Sequence, residues 1–533
     1  MNPSFNELNN LPNEILVKML KYLSHYDILY SFYDINERFN SIIKNYFLKN
    51  NLTLIINNDS LISFDNKILE SVYEIIPMIE NNIKCINIDS LIIENIIDRA
   101  NYPNLKQVTI YTSLQESINI FIDGSLFIKI FGQKIEKLMI KSRRILKPII
   151  NTFGEYDILE HREILQDLFK KCSTMFQNLI SLQFYLFINN QQLTFDFREV
   201  ISFSSNITQL YVTVNHFNDC LYILDGSFNQ LQKFYIIICG TGDLPSTDHV
   251  EIEISNIKCF SIRYKNKILN YDRGLIPLLH RMINLEEFHI HFIKTTLPII
   301  DEHILKVEFI DNIPKLKKFI FNIGSLTYLG NQHYLSSNEN IKHSSKKFQN
   351  SEMISNIDYF ERTRLLYSHI YSHPYTWDFY HHISNNFRGG LFKSVRIISL
   401  FDEQPFEHDF FLLIAQSFPY FSRLILRNNE IQKNINCQQI PIKYNNLLNI
   451  DLIQSHDNYI EEFLNNNKTC LLNGIYLNIS YKSLLRQTNN FTKDEYRTNC
   501  SKINYLKLKN DKEDLINENL IKYFHNATID YYH

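Results

Sequence analysis

The residues best able to bind a metal ion are four histidines that lie close together in the sequence, His369, His373, His381 and His382. On a helix, His369 and His373 would be one turn apart, the spacing with which two imidazoles can clamp a zinc ion. Pro374 interrupts such a helix, and no carboxylate or thiol is suitably spaced as a further ligand. We therefore expect structural histidines in an aromatic segment and predict no metal site.

The sequence also lacks the motifs of common catalytic and cofactor sites. It contains no P-loop, G-x-G-x-x-G, G-x-S-x-G or H-E-x-x-H segment. Only 12 of the 533 residues are glycine, so loops that could wrap closely around phosphates are scarce. We therefore predict no catalytic and no cofactor-binding residue, and we expect the protein to act by binding and not as an enzyme.

Candidate binding residues come instead from a six-residue pattern, apolar-x-x-apolar-x-apolar, that recurs fourteen times. Its copies begin at residues 83, 105, 135, 179, 207, 231, 257, 285, 316, 395, 421, 447, 472 and 503. Most neighbouring copies are 22 to 31 residues apart, in or near the range of ~20–29 residues typical of leucine-rich repeats. The last two apolar residues of a copy would face one side of a short strand, and the alternating residues would face the other.

The alternating positions are rich in basic and aromatic residues. Nine are Lys or Arg and three are Asp or Glu, in a chain whose net charge is −3. From these positions we select six candidate substrate-binding residues: Tyr211, Tyr235, Arg263, His289, Arg423 and Arg427. Because Tyr and Arg are enriched at recognition surfaces, one hypothesis is that this face holds an acidic or phosphorylated segment of a protein substrate. The alternative is that lysine simply solubilises exposed strand positions.

The elements that would position these residues alternate along the chain. Segments between copies often have helical periodicity, as in residues 406–418, where apolar residues share one face. One strand and one helix per repeat would stack into a curved α/β solenoid with parallel strands on its concave face. Residues 51–324 would form its first part, and residues 393–533 its second part and C-terminal cap. Residues 325–392 begin as a polar excursion and continue as an aromatic insertion or degenerate repeat.

Residues 1–50 are predicted to form a separate domain of three short helices. The first helix carries Pro12 at an early helical position, and Ser24 and Asn36 suit the N-caps of the second and third. Three helices in about 40 residues bury little apolar surface, so they need a partner or a neighbouring domain.

The stretch LPNEILVKMLKYLSHYDILYSFYDINERFNSII resembles an F-box. It has the family's Leu-Pro-x-Glu start, its Asp-Leu-Leu-like segment at Asp27 and its closing Asn36 and Phe39, with Phe39 where many members carry Trp. F-boxes dock onto a Skp-type linker protein, which joins them to a cullin ubiquitin ligase. The resemblance implies that the linker-binding residues are Leu11, Pro12, Ile15, Leu16, Leu20 and Leu23. Met19 is expected to pack inward.

The helical domain and the repeats together resemble the F-box leucine-rich-repeat proteins, although the repeats lack the consistent Asn or Cys of that family's consensus. The resemblance implies a non-catalytic substrate-recognition adaptor of a Skp–cullin–F-box ubiquitin ligase. The alternative is a leucine-rich-repeat interaction scaffold without a role in degradation.

Composition and charge favour a cytoplasmic or nuclear protein. The net charge of −3 gives no general attraction for nucleic acid, and no apolar run approaches the ~18 residues that span a bilayer. The N-terminus has no signal-peptide pattern, and the eight scattered cysteines fit reduced thiols better than a disulfide framework. We expect protein partners, with no nucleic acid and no membrane.

Overall fold

The chain forms two compact units in the computed structural model. Unit 1 comprises Met1–Ile293 and Glu302–Phe319, and unit 2 comprises Lys294–Asp301 and Ile320–His533. The structure describes residues 8, 10–23, 25–48, 51–54, 66–112, 120–121, 125–142, 157–185, 192–195, 206–224, 228–240, 254–269, 271–329, 341–348, 351–433, 440–509 and 518–532. The chain is α/β, and most of its strands pair in parallel.

Unit 1 begins with helices. They are α1 (Asn13–Leu20), α2 (His25–Phe32) and α3 (Glu37–Ile42), followed by a π-helical turn (Ile43–Phe47). The side chain of Asn36 caps α3, because its oxygen accepts the N–H of Phe39 at 3.0 Å. The other predicted cap, Ser24, lies outside the described residues.

Nine strands of unit 1 pair in chain order, each parallel to the next. They are β1 (Asn51–Leu54), β2 (Cys85–Asp89), β3 (Gln107–Thr112), β4 (Lys137–Ser142), β5 (Ser181–Tyr185), β6 (Gln209–Val214), β7 (Lys233–Ile238), β8 (Cys259–Tyr264) and β9 (Glu287–Lys294). Branched and aromatic side chains dominate these strands because they fill a pleated, half-buried surface well.

Helices in the segments that connect these strands complete unit 1. They are α4 (Asn66–Ile79), α5 (Ile93–Ile97), α6 (Leu126–Phe131), α7 (Asp157–Thr174), α8 (Phe217–Leu224), α9 (Tyr271–Arg281) and α10 (Glu302–Ile304), with a π-helical segment at Leu305–Ile310. The buried carboxylate of Asp219, in the first turn of α8, accepts hydrogen bonds from the N–H groups of Phe195 at 2.8 Å and His216 at 2.7 Å. Burial raises the pKa of Asp219 to about 6.

Unit 2 contains two sheets and a short strand pair. An antiparallel group has the order β10 (Lys318–Tyr328), β13 (Leu365–His373), β12 (Ser351–Phe360) and β11 (Ile341–Phe348). A seven-stranded parallel sheet has the order β14 (Phe379–Ile383), β15 (Ile397–Phe401), β16 (Arg423–Asn428), β18 (Asn449–Ser455), β20 (Ile475–Ser480), β21 (Ile503–Lys509) and β22 (Thr528–Tyr532). Strands β17 (Ile442–Lys443) and β19 (Thr469–Cys470) pair separately.

The helices of unit 2 lie between strands of the seven-stranded sheet. They are α11 (His408–Ser417), α12 (Asn458–Leu464), α13 (Tyr481–Gln487), α14 (Arg497–Cys500) and α15 (Glu518–Tyr523). Phe410, Phe411 and Ile414 of α11 are buried, so the predicted apolar face of this segment packs into the core.

The predicted strand at each of the fourteen copies is confirmed, because every copy lies on a strand of the structure. The fourth and sixth residues of each copy are buried, as with Phe234 and Ile236 of β7. Lys233 and Tyr235, which alternate with them along the strand, are exposed and half-buried. Because side chains alternate between the two faces of a strand, the two apolar residues of each copy face the core in both parallel sheets.

One copy was assigned in the wrong register. In the sheet, Ile450 pairs with Leu477 and Leu477 pairs with Leu506, so the copy in β20 begins at Gly474 and not at Leu472. Gly474, with φ +85°, occupies the position that is apolar in most other copies, which hid the register in the sequence.

The predicted boundary at residues 324 and 325 also differs from the structure. Residues 320–392 belong to unit 2, because β10 pairs antiparallel with β13 and brings this segment into one unit with the C-terminal sheet. Of the predicted polar excursion, residues 330–340 and 349–350 lie outside the described residues. In the described part of the chain, no helix is both long and apolar enough to cross a bilayer.

Candidate docking surfaces

The inward side of the N-terminal helices forms a small apolar core. Leu16 and Leu20 of α1 are 1% and 2% exposed, and Ile28 and Leu29 of α2 are equally buried. Phe39 of α3 is also buried, and its ring stacks on Phe32 of α2 with the ring centroids 5.8 Å apart.

The outward side of α1 and the turn after it is also apolar. Ile15, Met19, Tyr22 and Leu23 are 40%, 46%, 91% and 40% exposed. Ile15 and Met19 are four residues apart on α1 and therefore share a face of the helix, and Tyr22 and Leu23 lie in the turn that follows it. We call Ile15, Met19, Tyr22 and Leu23 the α1 surface.

This arrangement corrects the predicted docking set. Leu16 and Leu20 were expected to face outward, yet both are buried, and Met19 was expected to pack inward, yet it is exposed. The reason is the phase of the helix, because α1 is apolar at both adjacent positions, 15 and 16, and only tertiary packing selects which of the two is buried. Of the other predicted residues, Leu11 is half-buried, while Pro12, Ile15 and Leu23 are exposed.

A polar border adjoins the beginning of α1. The Arg38 guanidinium donates to Oδ1 of Asn13 at 2.8 Å and also to the carbonyl oxygen of Leu11. Asn13 and Arg38 line a shallow cleft together with Ser41 and Asn45. An exposed apolar cluster beside a polar border is the usual anatomy of a protein–protein interface.

A second candidate surface runs across the parallel strands of unit 1. Tyr211 of β6, Tyr235 of β7, Ser261 of β8 and His289 of β9 are successive partners in the strand register. The rings of Tyr211 and Tyr235 stack with centroids 4.3 Å apart and an angle of 5° between them, and His289 is 6.4 Å from Tyr235. The structure thus brings together three of the predicted substrate-binding residues.

Arg263 lies two residues further along β8, in register with His291 of β9 and not beside the stacked tyrosines. It is half-buried, so its side chain contributes less free charge to this face than the sequence suggested. We call Tyr211, Tyr235, Arg263 and His289 the unit 1 surface.

Glu287 lowers the positive charge of the unit 1 surface. Its carboxylate accepts from His289 at 2.8 Å and from the ammonium group of Lys318. Burial raises the pKa of Glu287, but the hydrogen bonds from Lys318 and His289 outweigh it, so the carboxyl stays ionised. Burial lowers the pKa of His289 more than Glu287 raises it, so the imidazole is neutral at physiological pH. This surface is therefore aromatic and polar, with little net positive charge.

A third surface, in unit 2, carries two exposed arginines. Arg423 and Arg427 of β16 are both exposed, and neither forms an ion pair with any residue in the described ranges. In the same sheet, Tyr476 of β20 and Tyr505 of β21 stack with centroids 4.9 Å apart. Asn449 pairs with both Arg423 and Tyr476, which connects the basic and aromatic residues through one row of the register.

The sequence interpretation missed the contact between Tyr476, which is half-buried, and Tyr505, which is buried. Tyr476 was placed in the fifth position of its copy and Tyr505 falls in the third, so the two did not look like neighbours. Starting the copy at Gly474 would have aligned them, and this is the signal that could have found the pair. We call Arg423, Arg427 and Tyr476 the unit 2 surface, and the buried ring of Tyr505 supports Tyr476 in it.

The four histidines are placed on strands and not on a helix. His369 and His373 belong to β13, where residues four apart are about 13 Å apart and cannot share a metal ion. Nε2 of His369 contacts Oδ1 of Asn322 at 2.7 Å. Over the described ranges, no three His, Cys, Asp or Glu residues come together in a way that could hold a metal ion.

Comparison with known proteins adds no family to this description. No protein-family model matches the chain, and no curated protein sequence is significantly similar to it.

Proposed function

We propose that the protein is a non-catalytic adaptor of a Skp–cullin–F-box ubiquitin ligase. In this proposal the α1 surface binds a Skp-type linker protein, and the repeats hold a protein substrate as an α/β solenoid of the leucine-rich-repeat kind. The observation that carries the proposal is the exposed apolar face of α1, which lies in the stretch that resembles an F-box and has no partner of its own among the described residues.

The α1 surface is large enough to matter for affinity. Ile15, Met19 and Leu23 each keep about two fifths of their surface exposed, so burying the remainder would contribute about 1 kcal/mol apiece. Tyr22 is almost fully exposed and would contribute more, since tyrosine is a frequent hot spot at interfaces. Leu16 and Leu20 are buried on the other side of α1 and anchor the helix that carries this surface.

The unit 1 and unit 2 surfaces are the proposed substrate sites. The stacked rings of Tyr211 and Tyr235 present rigid contact area at a low cost in side-chain entropy, and in unit 2 the stack on Tyr505 holds Tyr476 in place. Arg423 and Arg427 suit an acidic or phosphorylated segment, since a guanidinium can bind carboxylate or phosphate through two parallel hydrogen bonds. The adaptor would act by proximity, raising the effective concentration of a substrate lysine near the ubiquitin carrier.

A linker-binding experiment tests the proposal. Wild-type protein should retain a purified Skp-type linker, and the double variant Ile15→Asp, Met19→Asp should lose at least tenfold in affinity, because two charges would replace apolar contacts. Lys21→Asp is the matched control, because Lys21 is exposed in the turn after α1 and lies off the apolar face. Its affinity should stay within about twofold of wild type.

Two outcomes would count against the adaptor. If the wild type fails to bind the linker in isothermal titration calorimetry, the α1 surface has another partner and the ligase role is wrong. If the linker binds but no cullin joins the complex, the protein is an interaction scaffold without a role in degradation.

A further inference from the structure

Unit 2 contains a pocket that belongs to none of the three docking surfaces. It lies where β12, β13 and β14 meet the loop that follows β14, and it has about 50 Å³ of space for water-sized groups. Asp358, Tyr367, His369, Tyr371 and Tyr380 line its interior, and all five are at least nine-tenths buried. The exposed side chain of Arg388 lies at its rim, so the pocket opens to solvent there.

The carboxylate of Asp358 is the charged group inside this pocket. One oxygen accepts from the Ser384 hydroxyl at 3.0 Å, and the other accepts from the Asn386 amide at 2.8 Å. A carboxylate has about four lone-pair positions, so it can accept further hydrogen bonds from a ligand. Burial raises the pKa of Asp358, and the nearby Asp402 carboxylate raises it further. The charged side chain that acts on Asp358 is therefore another carboxylate. Two negative charges close together favour a cation as the ligand of this pocket.

His369 contributes a second acceptor. The Asn322 amide donates to the Tyr375 hydroxyl at 2.7 Å, which leaves Oδ1 of Asn322 to accept the proton on Nε2 of His369. The other ring nitrogen, Nδ1, then carries a lone pair and no proton. Burial lowers the pKa of His369 to about 3, so the imidazole does not add a positive charge to the pocket.

Aromatic rings form the rest of the interior. The rings of Tyr371 and Tyr380 are 5.8 Å apart at an angle of 73°, and His369 packs edge-on against Tyr380 at 4.8 Å. Rings at steep angles present both faces and edges to the enclosed space, and the faces attract cations. Aromatic walls with one carboxylate are the chemistry that recognises organic ammonium groups.

We propose that this pocket binds a primary alkylammonium group, either a small free amine or the end of a lysine side chain. A primary ammonium has three N–H donors, which match the acceptors of Asp358 and His369. The space of about 50 Å³ holds roughly three or four water molecules, which suits an ammonium with its last methylene better than a bulky quaternary group. The proposal is independent of the linker-binding role of the α1 surface.

The binding test uses the full-length protein and three small probes at pH 7, observed by saturation-transfer NMR and titration calorimetry. Protonated n-butylamine should bind, whereas its neutral analogue 1-butanol and the quaternary tetramethylammonium ion should bind at least tenfold more weakly. Equal binding of 1-butanol would overturn the proposal, as would complete displacement of n-butylamine by potassium chloride at the concentration of the amine.

Two variants and one control test whether the charge of the pocket determines amine binding. Asp358→Asn should weaken n-butylamine binding at least tenfold, and Asp494→Asn, an exposed aspartate of the same unit, should leave it unchanged. Because Asp358→Asn could disturb its hydrogen-bond partners, Arg388→Gln provides a test on an exposed rim residue. Removing this positive charge should tighten amine binding about threefold, since a like charge at the rim opposes a cation. Weaker amine binding in Arg388→Gln would overturn the proposal.

The source of the ammonium is decided by comparing n-butylamine with Nα-acetyl-lysine methylamide, which presents the same group on a peptide backbone. Tighter binding of the lysine derivative assigns the pocket to a lysine of a polypeptide. Tighter binding of n-butylamine assigns it to a free amine.

Discussion

A buried histidine–glutamate pair in unit 2 leads to the sharpest stability prediction. Nδ1 of His408 at the start of α11 is 2.7 Å from Oε1 of Glu462 in α12, and their side chains are 5% and 1% exposed. Nε2 of His408 is 3.1 Å from the carbonyl oxygen of Ile440. Both partners are acceptors, so the geometry is best satisfied by an imidazolium that donates from both nitrogens.

The pKa of His408 responds to this arrangement. The hydrogen bond to Glu462 raises the pKa above its ordinary value of about 6.5, against the opposing effect of burial. A group whose pKa is raised on folding stabilises the folded state fully below its unfolded pKa. This stabilisation is lost as the pH rises from about 6.5 through the raised pKa of the folded state.

The perturbation is Glu462→Gln, which keeps the shape and one acceptor oxygen but removes the charge. A hydrogen bond to a charged group contributes about 1.5–3 kcal/mol, so unit 2 should lose roughly this free energy of unfolding at pH 5.5. For a unit of this size the melting temperature should fall by about 3–10 °C. The difference from wild type should narrow as the pH rises from about 6.5 through the raised pKa of His408, because the wild-type imidazolium then loses its proton.

The assay is thermal unfolding followed by fluorescence of Trp377, the only tryptophan, which packs against the core of unit 2. Glu461→Gln is the matched control on the neighbouring residue of α12, where Glu461 pairs with Lys468 at 3.2 Å. Because the side chains of Lys468 and Glu461 are only 9% and 19% exposed, Glu461→Gln should also destabilise unit 2. It should nevertheless keep the wild-type pH dependence, since His408 and Glu462 are unchanged. If Glu462→Gln melts at the temperature of Glu461→Gln and retains the wild-type pH dependence, the reasoning about His408 is wrong.

Two further predictions follow from burial and charge. Leu16→Ala should destabilise the N-terminal helices by about 2–5 kcal/mol, whereas Met19→Ala should cost below about 1 kcal/mol, and hydrogen exchange of these helices measures both. If Met19→Ala costs more than Leu16→Ala, Met19 is the inward residue of α1, as the sequence predicted. Replacing Arg423 and Arg427 together by Glu should weaken binding of an acidic peptide about tenfold in fluorescence anisotropy at low salt, while Lys522→Glu serves as an exposed control. If the wild type, the double arginine variant and Lys522→Glu bind the peptide equally well, the unit 2 surface is not the site of an acidic segment.

The strands were largely predictable because each copy carries its own two-residue alternation. Phe234 and Ile236 were expected in the core and Tyr235 on the opposite face, and burial in β7 follows that order. The helical periodicity of residues 406–418 is also a pattern of residues close together in the chain. This segment contains α11, whose apolar face is buried. Parallel pairing then follows from placing the strands in chain order with connecting segments between them.

The surfaces were less predictable because they depend on which residues meet across strands. The sequence placed His289 among the binding residues, but it could not show that Glu287 would take both His289 and Lys318 as partners. It likewise separated Tyr476 from Tyr505, which only the register of β20 and β21 brings into contact.

The periodic patterns of the amino-acid sequence were enough to predict the α/β class, the strand at each copy and the short N-terminal helices. Tertiary structure alone decided the phase of α1, the register of β20 and the assembly of the Asp358 pocket from three strands and a loop. The physical reason is that a period is a property of neighbouring residues in the chain. Phase, register and charge neutralisation depend on which distant side chain is buried against each residue.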